Sequence, residues 1–306
     1  MPLCIQAIVC AVDFSAFSPL VVAHGIALAR RTGARLYLVH AIHHPQDDLH
    51  PTTLFERGGD LDALKAGAKR RMAALMTFAD VAWETVVCFG EPVAQITAEV
   101  DRLPPSLVIS ASYGVSGFRR LLIGTVVERL TRSLASPMLV VKPGDADGGG
   151  FEGFRSVLIG CDLHGNWRRM APLLSLLSPD PGSGLHLVHV MEGPLDKVPP
   201  AAEEATYGEV QRGHRDRIRR ALADSAQRLF PHLESSGRTI TVAPGIPQET
   251  LLQAARERRA ELVVVGVRPS GRVGRWIAGS TTEALLRCSP CSVLTHPEPK
   301  TEGAEP

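Results

Sequence analysis

The sequence predicts an α/β protein made of two tandem, doubly wound domains, and three observations carry that reading. Apolar runs of strand length alternate with segments of helical spacing through short connections, the signature of helices wound onto a parallel sheet. Residues 107–130, LVISASYGVSGFRRLLIGTVVERL, read as strand, glycine loop and helix. The same stretch recurs at residues 262–285, with a constant offset: 266 minus 111 and 279 minus 124 are both 155. A repeat of that length implies two similar domains and not a solenoid of short units.

The elements follow in order. Residues 5–12 are continuously apolar, as in a strand buried on both faces. Asp13-Phe14-Ser15 ends that strand. Ser18 and Pro19 supply an N-cap and a first helical residue for a helix to about Arg31, Gly33 stops it, and residues 36–42 form the second strand. Residues 43–59 lack periodicity and contain Pro45, Pro51 and Gly58-Gly59, so they read as a long loop. A helix over 61–79, a strand over 81–89 and a helix over 92–102, entered through Gly90-Glu91-Pro92, precede the glycine-loop unit. Residues 138–141 make the fifth strand.

Residues 144–150 are small and polar, a flexible linker. The pattern restarts with a strand over 157–161, Asp162, a helix over 166–177 and a strand over 185–191, here at an offset of 149 (162 minus 13). At Gly245-Ile246-Pro247 the offset has become 155, so six extra residues lie in between, where a basic helix over 203–230 sits. Its Arg212, Arg215, Arg217, Arg219, Arg220 and Arg228 alternate with acids, which favours a solvated face over a surface for an anionic partner. The expected organisation is domain one over 1–143, a linker over 144–153, domain two over 154–297, and a disordered polar tail over 298–306.

A net charge of +1 argues against a dedicated nucleic-acid binder or a polybasic membrane protein. No apolar run approaches a bilayer span and the start, MPLCIQAIVCAVDFS, has no basic segment or signal cleavage site, so the expectation is cytoplasmic with no membrane partner. Six scattered cysteines, Cys4, Cys10, Cys88, Cys161, Cys288 and Cys291, suit buried thiols in a reducing compartment. Cys288 and Cys291 have the spacing of a redox dithiol but follow a helix instead of opening one.

The glycine loop is the stretch with chemistry in it. A loop at the carboxyl end of a strand that feeds a helix start offers unpaired N–H groups and the positive helix dipole to an anion. Glycines let a phosphate approach that backbone. No P-loop or G-x-S-x-G pattern is present, and neither Gly114 nor Gly271 begins a G-x-G-x-x-G Rossmann fingerprint. His43, His44, Asp47, Asp48 and His50 are metal-ligand types in one loop, with no second cluster to complete a shell. His40 and His189 end equivalent strands and read as core or rim histidines.

These residues together resemble the universal stress protein family, over nearly the whole chain. The resemblance rests on Val12-Asp13-Phe14-Ser15 after strand one, Leu38-Val39-His40 closing strand two, and a loop whose family form is G-x2-G-x9-G-[ST]. Here that form reads Ala111-x2-Gly114-x9-Gly124-Thr125 and Gly266-x2-Pro269-x9-Gly279-Ser280. The resemblance implies five-stranded parallel sheets of the adenine nucleotide alpha hydrolase-like type in the order 3-2-1-4-5, with the two fifth strands meeting in an intramolecular pseudo-dimer and a homodimer as a further option. It also implies ATP, with or without Mg2+, as the ligand. In the first half the implied site is Val12, Asp13, Ala41, Ala111, Gly114, Gly117, Gly124, Thr125 and Val126. In the second it is Asp162, Val190, Gly266, Gly279, Ser280 and Thr281.

Two departures bear on that site. Ala111 adds a methyl at the first glycine, tolerable if its φ is negative. Pro269 removes an N–H donor and excludes positive φ, so the first half is the better site. Three functions are expected: a nucleotide-binding regulatory protein of the stress response, an interaction module whose cavity is empty or holds another small ligand, and a slow ATPase.

Overall fold

The computed structural model describes residues 5–43, 61–104, 106–112, 124–142, 151–162, 166–178, 180–191, 201–269, 276–277 and 279–297. The first half runs β1 (Ala7–Ala11), α1 (Ser18–Thr32), β2 (Arg35–Ile42), α2 (Leu61–Leu75), β3 (Trp83–Phe89), α3 (Pro92–Arg102), β4 (Ser106–Ala111), α4 (Thr125–Ser133) and β5 (Met138–Val141). The second runs β6 (Ser156–Gly160), a 3-10 turn (Asn166–Met170), α5 (Ala171–Leu177), β7 (Gly184–Met191), α6 (Ala201–Leu229), β8 (Arg238–Pro244), α7 (Pro247–Glu257), β9 (Leu262–Pro269), β10 (Trp276–Ile277), α8 (Ser280–Cys288) and β11 (Ser292–Pro297).

One sheet threads both halves in the order β3-β2-β1-β4-β5-β11-β9-β6-β7-β8, with β10 pairing β9 off that path. Along that path each half is parallel within itself and has the order 3-2-1-4-5, while the two-residue β10 runs antiparallel to β9 in the second half, a pairing the sequence did not lead one to expect. The halves join where β5 meets β11 antiparallel, Met138 opposite Thr295 and Val140 opposite Val293. The β5 and β11 edges are thereby covered within one chain, and β3 and β8 are the edges of the joined sheet.

Strand alternation divides the core in two. Ile8, Leu36, Met72, Leu139, Leu174, Leu222 and Leu294 pack beneath α1, α2, α5 and α6. Val9, Ile96, Leu130, Val140, Leu251, Leu285 and Val293 pack beneath α3, α4, α7 and α8. Each layer draws on both halves, so the core is continuous across the junction.

Four elements differ from the sequence expectation. Phe17, not Ser18, holds the N-cap position of α1, with no side-chain cap; the Ser18 hydroxyl donates to Asp13 instead. The helix expected over 61–79 stops at Leu75, and Met76 and Ala79 close short turns onto Ala73 and Met76. The helix expected from 166 opens as a 3-10 turn, with α5 proper beginning beside Pro172, whose missing N–H suits a first turn. Residues 151–153, assigned to the linker, are packed: Phe151 stacks on His24 at 4.1 Å, and Arg31 donates to the carbonyls of Leu176 and Glu152. The glycines around Phe151 concealed that anchor.

Residues 44–59, 144–150 and 298–306 lie outside the described residues, and with them His44, Asp47, Asp48 and His50. Among the described residues no metal-ligating cluster forms, and no helix is long and apolar enough to cross a membrane. Cys10, Cys88, Cys161 and Cys291 are buried thiols outside any disulfide, and Cys288 is exposed. Burial pushes the Cys10 and Cys161 thiols up.

Candidate functional site

The carboxyl edge of the first sheet opens into a cleft of about 350 Å³ between the ends of β1, β2 and β4 and the start of α4. This is the switch point of a doubly wound sheet, where successive connections leave to opposite faces and the strand ends part. Gly124 holds the N-cap position of α4, and its N–H donates to the Ser112 carbonyl at 3.0 Å, tying the helix start to the end of β4. The first intrahelical bond runs from Glu128 to the Gly124 carbonyl. The N–H groups of Thr125, Val126 and Val127 therefore have no partner inside the helix, and these residues line the cleft.

Across from them stands Asp13. Its Oδ1 accepts from the Ser15 N–H at 2.9 Å and from the Ser18 hydroxyl at 3.2 Å, which holds the β1–α1 turn; Phe14 within that turn has φ 58°. No described residue donates to Oδ2. His40 donates from Nδ1 to the Val12 carbonyl at 2.8 Å and packs on Phe14, which also lies under the Arg71 guanidinium at 3.9 Å. Burial, chiefly, and the Arg71 charge lower the His40 pKa, so the ring is neutral near pH 7 with Nε2 as its acceptor.

Of the residues expected in the first half, Val12, Asp13, Ala41, Ala111, Gly124, Thr125 and Val126 line this one cleft. Gly114 and Gly117 lie outside the described residues. Ala111 ends β4 and is not among the positive-φ residues, so its methyl is accommodated. Sequence reasoning did not assign Ser18, His40, Ile96 or Ser110, which also line the cleft. His40 carried a usable signal: His189, its counterpart, makes the same bond to the Cys161 carbonyl at 2.7 Å. Both histidines staple strand two to strand one.

The second half does not repeat the cleft wall by wall. Trp167 stands at the counterpart of Ser18, Met170 at that of Val21 and Val265 at that of Ser110. Leu251, the counterpart of Ile96, crowds Gly160 so closely that a Cβ there would lie 3.2 Å from its methyl. The Thr282 hydroxyl donates to the Gly266 carbonyl, a bond Val127 cannot make. Pro269 extends β9 beyond Gly266 and pairs with Trp276 of β10, which lies against α4 of the first half. Val190 is half-buried next to the last residue of β7, Gly279 and Ser280 are exposed at the start of α8, and Asp162 faces a different groove.

A doubly wound sheet repeated in tandem, with an open cleft at the switch point of its first copy, defines a pseudo-dimeric α/β protein. The sequence profile of the Universal stress protein family matches residues 5–142 and 168–297, and the chain belongs to that family. It is 28% identical over 141 residues to "Universal stress protein in QAH/OAS sulfhydrylase 3'region" of Thermus aquaticus, covering 46% of this chain and 97% of that one. Two solved structures share the tandem fold. A universal stress protein from Archaeoglobus fulgidus DSM 4304 has a TM-score of 0.62 at 20% identity, covering 95% of this chain and 98% of its own. A functionally unknown protein from Pseudomonas aeruginosa PAO1 has a TM-score of 0.64 at 14% identity, covering 96% and 93%.

Proposed function

We propose that the chain is a regulatory protein of the stress response that binds one adenine nucleotide, in the cleft of its first half. The observation that carries this is the convergence of Asp13, Ala41 and the start of α4 on one cavity of about 350 Å³, within the size range of small-ligand sites. The unpaired N–H groups of Thr125, Val126 and Val127 fit a phosphate at a helix start. The Asp13 Oδ2 fits a ribose hydroxyl. Val21, Ile96 and the methyls of Ala11, Ala41 and Ala111 offer the base an apolar wall.

The second half contributes support and not an equal site, because Trp167, Met170 and Val265 enlarge three counterparts of the cleft lining and Pro269 is drawn into a hairpin. At the α4 end the cleft offers amides and a hydroxyl but no base, so the reading is binding, with any ATP turnover slow. Denaturing the purified protein should release an adenine nucleotide, or the ligand-free protein should take up ATP at no more than one equivalent per chain. Absence of both would favour the second reading, an interaction module with an empty cavity. Two equal sites would overturn the asymmetry.

A further inference from the structure

A second groove, of about 300 Å³, opens at the carboxyl end of β6 beneath α6. Its polar lining is Asp162, Arg168, His214 and Arg217, over a floor of Ile218 and Leu222. Only Asp162 has a counterpart in the first cleft. The counterparts of Ser18, Val21, Ala41, Ile96, Ser110 and Gly124, namely Trp167, Met170, Val190, Leu251, Val265 and Gly279, do not line it. The groove is therefore not the repeat's copy of the nucleotide cleft.

Its charge is unbalanced. Arg168 comes from the 3-10 turn and Arg217 from α6, and neither forms an ion pair with any described residue. Two guanidiniums and one carboxylate line the groove, which leaves it with one excess positive charge for an anion to meet. Arg168 is also held in place, its guanidinium 5.7 Å over the ring of Trp167, which is 5% exposed. A planar guanidinium presents paired N–H donors that match phosphate oxygens, and His214 has an N–H to add in either protonation state. Asp162 works the other way. A carboxylate in the same groove repels a bare polyanion and accepts from a hydroxyl.

We propose that this groove binds a small phosphomonoester that carries a hydroxyl: the phosphate lies between Arg168, Arg217 and His214, the carbon chain lies on Ile218 and Leu222, and the hydroxyl donates to Asp162. The site is independent of the nucleotide cleft and stands whether or not that cleft takes ATP. The test is calorimetry on the full chain with glycerol 3-phosphate and inorganic phosphate as probes. Glycerol 3-phosphate should bind once at this groove and more tightly than inorganic phosphate. Arg168→Ala with Arg217→Ala should weaken it roughly tenfold or more, as loss of charge-assisted hydrogen bonds implies, at an unchanged melting temperature. Gly124→Val should leave it unaltered, and Asp162→Asn should narrow the preference over inorganic phosphate. Unchanged affinity in the arginine double variant would overturn the proposal, as would no saturable binding of either probe. Loss of binding in Gly124→Val would assign the phosphate to the α4 cleft and would equally overturn it.

Discussion

Leu139 of β5 and Leu294 of β11 face each other in the ladder that joins the halves, and they are the same position of the repeat, 155 residues apart. A residue paired with its own counterpart marks a local twofold axis, as in an isologous dimer interface. The ion pairs obey the same operator. Arg132 of α4 reaches Glu283 of α8, and Arg287 of α8 reaches Glu128 of α4 at 3.1 Å, each pair being the other shifted by one repeat. The tandem chain is thus a dimer interface written into one polypeptide.

Magnitudes say which part of that junction matters. Leu139 and Leu294 are both fully buried, so Leu139→Ala or Leu294→Ala should cost about 2–4 kcal/mol by denaturant unfolding. A double-mutant cycle between them should show coupling of at least about 0.5 kcal/mol. Arg132→Ala should cost about 1 kcal/mol or less, because its pairs are partly exposed and screened. A larger loss from the arginine than from the leucines would reverse this order.

Gly124 and Gly279 hold equivalent N-cap positions with φ of −61° in both, so neither is glycine because of backbone strain. The difference lies in what surrounds them. Gly124 lines the cleft, while a Cβ on Gly279 would meet no atom of the described residues within 4 Å. Gly124→Val should weaken ATP binding strongly and Gly279→Val little, with both proteins folded. Calorimetry giving the reverse order would move the site to the second half.

The fold was legible where local chemistry and tertiary structure agree. Gly90-Glu91-Pro92 announces α3 because Gly90 takes φ 125°, the Glu91 carboxylate accepts from the Ala94 N–H, and Pro92 begins the helix. The strand-one Asp and the Gly-Thr helix start located most of the cleft. Ser18, Ile96 and Ser110 were not legible, because a serine in a helix or an isoleucine on its apolar stripe looks the same whether it meets a core or a cavity. The extension of β9 through Pro269 was hidden for another reason. Proline argues against a strand interior, and only its place at the strand end, in a two-residue hairpin, accommodates it.

Acid should destabilise the fold through buried histidines. Burial holds His24 at a pKa of about 4 in the folded protein against 6.5 as its ordinary value, and His296 likewise, helped by the nearby Arg169 charge. Between those values the unfolded chain binds the proton first, so stability falls as pH drops from about 6.5 to 4 and these groups add no further change below. Each loss is on the order of 3 kcal/mol. His24→Phe, which keeps a ring on Phe151, should flatten the slope of melting temperature over that range. An unchanged slope would show that His24 is not the group responsible.

Asp13 has two roles that can be separated atom by atom. Oδ1 holds the turn through the Ser15 N–H and the Ser18 hydroxyl, so Asp13→Ala should lower the melting temperature whatever the residue does for a ligand. Asp13→Asn retains a carbonyl oxygen for those two donors while removing the charge and replacing the second oxygen with an amide. If Oδ2 takes a ribose hydroxyl, the asparagine variant should bind ATP, ADP and AMP more weakly by a similar factor, since all three share the ribose. Its melting temperature should stay near that of the parent. The alanine variant should lose more, on the order of 1.5–3 kcal/mol of binding if a charged hydrogen bond disappears. Asp13→Asn with full affinity for all three nucleotides, beside an Asp13→Ala that is merely less stable, would confine Asp13 to holding the turn.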